Sequence, residues 1–319
     1  MRLKLSLFFA SFVAFVLTSW AQSEMRILPK WKLNESRSVK EENMTKVYEN
    51  GKYTGEYVET TYYTMTVIDT VETYTMDYVM RTGGSRNYIN KKKQEVKEVE
   101  ELNELKNLYA EVEESMQSLH CQLKIDKSTG LATELLNADE MMAGVRAAVD
   151  KIVIRICAEQ HVEQPKQDSI IKILNFLTDL QRPRLMQYAI NSANTLLEVY
   201  SHGFIVGGEI TYAVEFTPLE MIAGIEEETF DGTMKIRGVK GENRQMHVFV
   251  KSEYDRTDLF NTLSKLDEFK GLKASEINMK TDEEYIMDTK TTWPISHTVK
   301  SEFVYGKTRL NISSTLTFR

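Results

Sequence analysis

Arg309-Leu310-Asn311-Ile312-Ser313-Ser314-Thr315-Leu316-Thr317-Phe318, the last run of the chain, decides the fold class. Leu310, Ile312, Leu316 and Phe318 fall on one parity; Arg309, Asn311, Thr315 and Thr317 fall on the other. Successive side chains of a strand point to opposite faces, so this run predicts a sheet with one dry and one wet side. Working outward, Ser275 to Arg319 reads as strands. A short helix carrying Leu259, Phe260, Leu263 and Leu266 precedes it, capped by Asp255 or Thr257. Further strands are expected over Gly208–Thr217, Thr233–Val239 and Gln245–Tyr254, with turns at Asp231-Gly232 and Gly241-Glu242-Asn243.

The opposite end has the same character. Ser36 to Arg81 is rich in Thr, Tyr, Val and Met, with Tyr57, Glu59, Thr61 and Tyr63 on one face. This composition predicts two or three long antiparallel strands, with a hairpin at Asn50-Gly51 and an end at Gly83-Gly84.

Between the strand blocks the period changes. Val96, Val99, Leu102, Leu105, Leu108, Val112 and Met116 recur at helical spacing, as do Met142, Val145, Val149, Ile152 and Ile156. Asn137 or Asp139 is the expected cap of the second helix. A third is expected to begin at Asp168 or Ser169 and run through Leu180, and a fourth to cover Arg184–Tyr200 after Pro183. A turn over Asp126–Gly130 sits in the strand-like stretch before them. Strands, helices, strands predicts an α+β fold: terminal strand blocks meeting in one curved antiparallel sheet, with amphipathic helices from the middle of the chain packed on it.

The first 21 residues have the layout of a secretory leader: Arg2 and Lys4, an apolar run from Leu5 to Val16, then small residues at Ser19 and Ala21. Residues 22–319 are then read as one exported domain, in the periplasm or outside the cell. No later stretch has membrane-spanning length. The net charge of −7, with both signs interleaved, argues against a nucleic-acid partner, which requires a basic face. Cys121 and Cys157 are the only cysteines; one disulfide between them and two buried thiols stay open as alternatives.

No cofactor or metal is expected. The five histidines are scattered, and no serine sits on a Gly-x-Ser-x-Gly elbow. Glu226-Glu227-Glu228 reads as a hydrated turn and not a calcium site. Catalytic carboxylates cannot be picked from 47 acidic residues without geometry, so no catalytic residue is assigned.

Two segments carry a resemblance. Ile125-Asp126-Lys127-Ser128-Thr129-Gly130, leading through Leu135-Leu136-Asn137-Ala138-Asp139-Glu140 into a helix, resembles a signature of uncharacterised secreted proteins of Bacteroidota. Tyr285-Ile286-Met287-Asp288-Thr289-Lys290-Thr291-Thr292-Trp293-Pro294 is similar to a strand–turn–strand of the same proteins, with Thr292 where they carry glycine. The resemblance implies a layout like that of periplasmic half-barrel lipid carriers and supplies no catalytic residues. It leads to the first of three expectations, an exported, non-enzymatic protein binding a hydrophobic or lipid-like small molecule in a sheet–helix groove; the alternatives beside it are an envelope or surface scaffold with a protein partner, and a hydrolase with an unrecognised carboxylate site.

Overall fold

The first and last strands of the sequence lie side by side. In the computed structural model, which describes residues 24–89, 120–216, 229–266 and 269–319, strand β1 (Ser36–Glu49) pairs antiparallel with β11 (Thr308–Phe318) from Val39↔Phe318 to Glu49↔Thr308. From that seam the N-terminal block continues outward as β2 (Lys52–Asp69), β3 (Tyr74–Ile89), β4 (Cys121–Ile125) and β5 (Ala132–Leu135). The C-terminal block continues the other way as β10 (Pro294–Tyr305), β9 (Ile277–Asp288), β8 (Gln245–Tyr254), β7 (Phe230–Lys240) and β6 (Ile210–Phe216). The result is one 11-stranded antiparallel sheet, open at β5 and β6. The leader, the stripe Val96–Met116 and the Glu226–Glu228 turn fall outside the described residues.

Among the described residues, three helices occupy the middle of the sequence: α1 (Ala138–Glu159), α2 (Gln164–Leu180) and α3 (Arg182–Leu197). A short one, α4 (Arg256–Leu263), follows β8. The sheet has to curl to meet them. Asn194 of α3 exchanges hydrogen bonds with the Ala132 backbone in β5, while the Phe204 ring lies against Gly238 of β7. Nine inter-strand spacings separate β5 from β7, about 43 Å on a flat sheet. The intervening chain is partly helical and reaches about 25 Å. Only a curved sheet brings both ends to that chain, and its inner face becomes the core side.

That inner face carries two apolar clusters. The larger joins Trp31, Met65, Met76, Ile125, Met142 and Leu197 with residues of β7 to β11 under the helices. At its heart Trp31 stacks on Trp293 at 4.5 Å between ring centroids and meets Tyr200 edge-on at 5.5 Å. The smaller cluster gathers Phe230, Leu259, Leu263, Phe269, Met279 and Phe303 beneath α4. Outward positions such as Lys40, Thr64, Lys251, Lys280 and Lys300 are solvated, which is the predicted dry-and-wet division.

Local departures have local causes. Gly83-Gly84 does not end β3. Thr60 pairs with Gly84 and Thr61 with Thr82, so Gly83 is the extra residue of a β-bulge. Asp231-Gly232 lies within β7 and is no turn, because β6 and β8 pair with it on both sides. Asn137 precedes α1, but its side chain makes no cap; it bonds instead to Gln122 N–H and His120 C=O, tying the helix start to β4. The next helix begins at Gln164, ahead of the expected caps, with Pro165 in its first turn where a missing N–H costs nothing. Ile156 is exposed while Val153 and Cys157 are buried, so the buried stripe of α1 is rotated from the expected one. Asp255 caps α4 as expected, accepting from Thr257 and Asp258 N–H at 2.9 Å.

Candidate functional site

Alternate residues of β9 face inward: Met279, Thr281, Glu283, Tyr285 and Met287. Their register partners on β10 share that face, with Phe303 opposite Met279, Ser301 opposite Thr281, Val299 opposite Glu283 and His297 opposite Tyr285. Four of these positions, Thr281, Glu283, His297 and Ser301, interrupt an otherwise largely apolar series with groups that are costly to bury. They meet polar partners from the connector between α3 and β6, where Glu198 opens a short 3-10 turn and His202 follows it.

The contacts are specific. His297 Nε2 donates to Glu283 Oε2 at 3.0 Å, and the Tyr285 hydroxyl donates to the same oxygen at 2.8 Å. The Tyr285 hydroxyl oxygen also lies 3.4 Å from Glu198 Oε2. A phenol has one hydrogen, which the shorter contact takes, so the 3.4 Å approach to Glu198 is the weaker of the two. The Tyr285 and His297 rings stack at 3.9 Å, and the His202 ring meets Tyr285 at 5.7 Å. His297 Nδ1 and His202 Nε2 are buried without a hydrogen-bond partner.

Burial is the leading influence on every titratable group of the cluster that shifts. Burial, and then the negative charge of Glu283, push the Glu198 carboxyl up to about 7. Burial works against ionised Glu283, but the His297 hydrogen bond and charge outweigh it and hold Glu283 below the usual carboxylate range. Burial, opposed by Glu283 and aided by the neighbouring His297, drives His202 down to about 4, leaving it neutral. Burial, reinforced by both glutamates, raises Tyr285 well above an ordinary phenol. At neutral pH Glu283 is ionised, while Glu198 sits near its own titration midpoint on the same phenol.

This cluster borders a belt of the inner face that neither apolar cluster covers. Val299, Ser314 and Asn43 form one half-buried row beside Glu283; Ser301, Ile312 and Thr45 form the next. A hydroxyl chain runs along its edge, Tyr254 to Thr281 at 3.2 Å and Thr281 to Ser301 at 2.9 Å. At the far side Glu41 accepts from the Tyr63 hydroxyl and, at 3.4 Å, from Ser314 Oγ. The belt is therefore mixed, with aliphatic Val299 and Ile312 among hydroxyls and carboxylates.

Of the five scattered histidines, the fold brings His202 and His297 to this cluster. His120 pairs with Asp77 at 2.8 Å and His247 with Glu284 at 2.8 Å elsewhere, and His161 ends α1. Among the described residues no group of three His, Cys, Asp or Glu side chains is placed to hold a metal ion, and no helix is long and apolar enough to cross a membrane. The disulfide alternative is not realised: both thiols are free. Cys121 Sγ lies 3.8 Å from Met141 Sδ near the start of α1, whereas Cys157 is sixteen residues further along that helix, about 24 Å away. Burial lifts the Cys121 thiol to about 11, so it is a poor nucleophile.

The signal for the cluster was present in the sequence as inward-parity polar residues in β9 and β10. Reading it required the register that pairs the two strands, which parity in either strand alone does not supply.

No family model matches the chain, and no curated protein matches it. Among solved structures it is similar to a chain described as "lipid-protein interactions in lipovitellin", with 8% sequence identity and a TM-score of 0.43. The likeness covers 91% of this chain and 25% of that one, so this chain spans about a quarter of the length of the structure it matches.

Proposed function

We propose that this is an exported, non-enzymatic protein that binds an amphipathic, lipid-like ligand across the half-covered belt of its inner sheet face. One observation carries the reading: the buried Glu198–Tyr285–Glu283–His297 cluster opens onto that belt, between two dry clusters. An alkyl portion lies along Val299, Ile312 and the half-buried Leu310, toward the apolar cluster under α4. The polar head meets acceptors, because Glu283 is ionised and Glu41 faces the same belt. Such a head is a hydrogen-bond donor, an amine or a hydroxyl, and a free carboxylate is disfavoured by like charge.

Native mass spectrometry with a long-chain amine, alcohol and fatty acid tests this, alongside displacement of a fluorescent alkyl probe. The amine and alcohol are expected to bind, the acid more weakly, and Ile312→Glu to abolish binding. Failure of all three amphiphiles to bind sinks the reading.

A second reading rests on the split carboxyl pair. Glu198 near 7 and Glu283 depressed are the two states required of a general acid and a general base. A hydrolase would lose turnover of a chromogenic ester or glycoside on Glu198→Gln and separately on Glu283→Gln. Absence of turnover by the wild type across both substrate classes removes it.

A further inference from the structure

Helix α2 is turned the wrong way round for a surface helix. Its stripe of Ile170, Ile173, Phe176, Leu177 and Leu180 recurs at three and four residues and faces solvent, with Ile173, Phe176 and Leu180 at 59%, 62% and 58% exposure. The side turned inward is mixed, with Ile171 and Leu174 half-buried beside Gln167, Asn175 and Thr178. Gln167 is the one fully buried residue of α2, and the helices are joined by Asn175 Nδ2 to Asp150 at 2.8 Å and Arg146 to Asp179 at 2.6 Å. Polar pairs therefore anchor the helix and leave its apolar face outward, the reverse of what burial in this molecule alone would select.

The charges around the stripe indicate what covers it. Lys166 stands one turn before Ile170 on the same face, and Lys172 one turn before Phe176. Arg184 follows just past the helix end, and all three are exposed. Asp179, the acid nearest the C-terminal part of the stripe, is taken up by Arg146, Asp168 accepts from Gln164 at 2.8 Å, and exposed Glu163 stands just before the first turn, so the three cations outnumber the two remaining acids. In a chain of net charge −7 this face is locally cationic. An apolar stripe bordered by exposed lysine and arginine matches the boundary between headgroups and acyl chains of an anionic bilayer.

We infer that α2 is a membrane-docking helix that lays Ile170, Ile173, Phe176, Leu177 and Leu180 into the interface of an anionic lipid surface. The inference is independent of the ligand belt, which lies on the inner sheet face.

The test is co-sedimentation of the full chain with vesicles of phosphatidylcholine and phosphatidylglycerol, about two to one, against pure phosphatidylcholine. The wild type is expected to partition onto the anionic vesicles, less so at high salt. Ile173→Asp/Phe176→Asp, both at exposed positions, is expected to weaken binding about tenfold or more with circular dichroism unchanged. A wild type that stays in the supernatant overturns the inference, as does a double variant that binds equally well. So does a vesicle-free dimer that the double variant makes monomeric, since the stripe is then covered by a second copy. Protection of Phe176→Cys from a water-soluble maleimide in monomeric, vesicle-free protein likewise overturns it, by assigning the face to another part of the same chain.

Discussion

Lys30 N–H donates to Thr292 Oγ1 at 2.8 Å, and Thr292 holds a left-handed backbone at φ +62° to receive it. A β-branched residue is strained there, so the position calls for glycine on backbone grounds alone. The hydroxyl is what threonine supplies, and it fastens the N-terminal segment that carries Trp31 into the core. Thr292→Gly relieves about 1–2 kcal/mol of backbone strain and gives up a hydrogen bond worth about 1 kcal/mol. Stability is expected to change by less than about 1 kcal/mol, while amide exchange at Lys30 accelerates. Hydrogen-exchange mass spectrometry over residues 24–35 checks it.

Tyr200 donates from its buried hydroxyl to the Thr292 carbonyl at 2.6 Å. Tyr200→Phe keeps the packing against Trp31 and orphans that carbonyl, at an expected loss of about 1–3 kcal/mol. Tyr200→Ala adds a cavity and raises the loss to about 3–5 kcal/mol. Urea unfolding of both variants measures the difference.

Gly130 closes its turn at φ +72°, and a Cβ there would stand 2.5 Å from Tyr200 Cβ. Strain and collision act together, so Gly130→Ala is expected to cost more than about 2 kcal/mol. A thermal melt that matches the wild type would contradict this account of the Asp126–Gly130 turn.

Stability should follow pH in a way that single variants separate. Glu198 has an ordinary value of 4.5 and a folded value of about 7, so its contribution falls as pH rises between them and is constant above. His202 runs oppositely: from 6.5 down to about 4 the unfolded chain takes the proton first, so stability is lost on acidification. Depressed Glu283 adds to that acid-side loss. Between about 4.5 and 6.5 the Glu198 and His202 slopes oppose each other, which predicts a plateau. Glu198→Gln should convert the plateau to a rise with pH, and His202→Phe to a fall. Urea midpoints measured at half-unit steps decide it; parallel profiles for all three proteins would refute the coupling.

The sheet was the legible part of this chain, because strand parity is written residue by residue. Leu310, Ile312, Leu316 and Phe318 do face inward, and Tyr57, Glu59, Thr61 and Tyr63 share that face. The joining of the two strand blocks was expected from the order of strands, helices and strands along the chain. Gly83 misled because a glycine pair marks a bulge as readily as a strand end, and only the partner strand distinguishes them. Glu198 and Glu283 stayed hidden for another reason: their meeting depends on where a connector crosses a curved sheet. Nothing within a few residues of either reports that crossing. The outward stripe of α2 was masked by its own regularity, since an apolar helical period ordinarily means burial.

The seam between β1 and β11 has a consequence for biogenesis. β11 follows the other ten strands in sequence yet sits at the centre of the sheet, so the two halves stay separate, each with a raw hydrogen-bonding margin, until it pairs with β1. Closure of the sheet is thereby a late step of folding. The cost is a late interval in which truncated chains are prone to stick to one another.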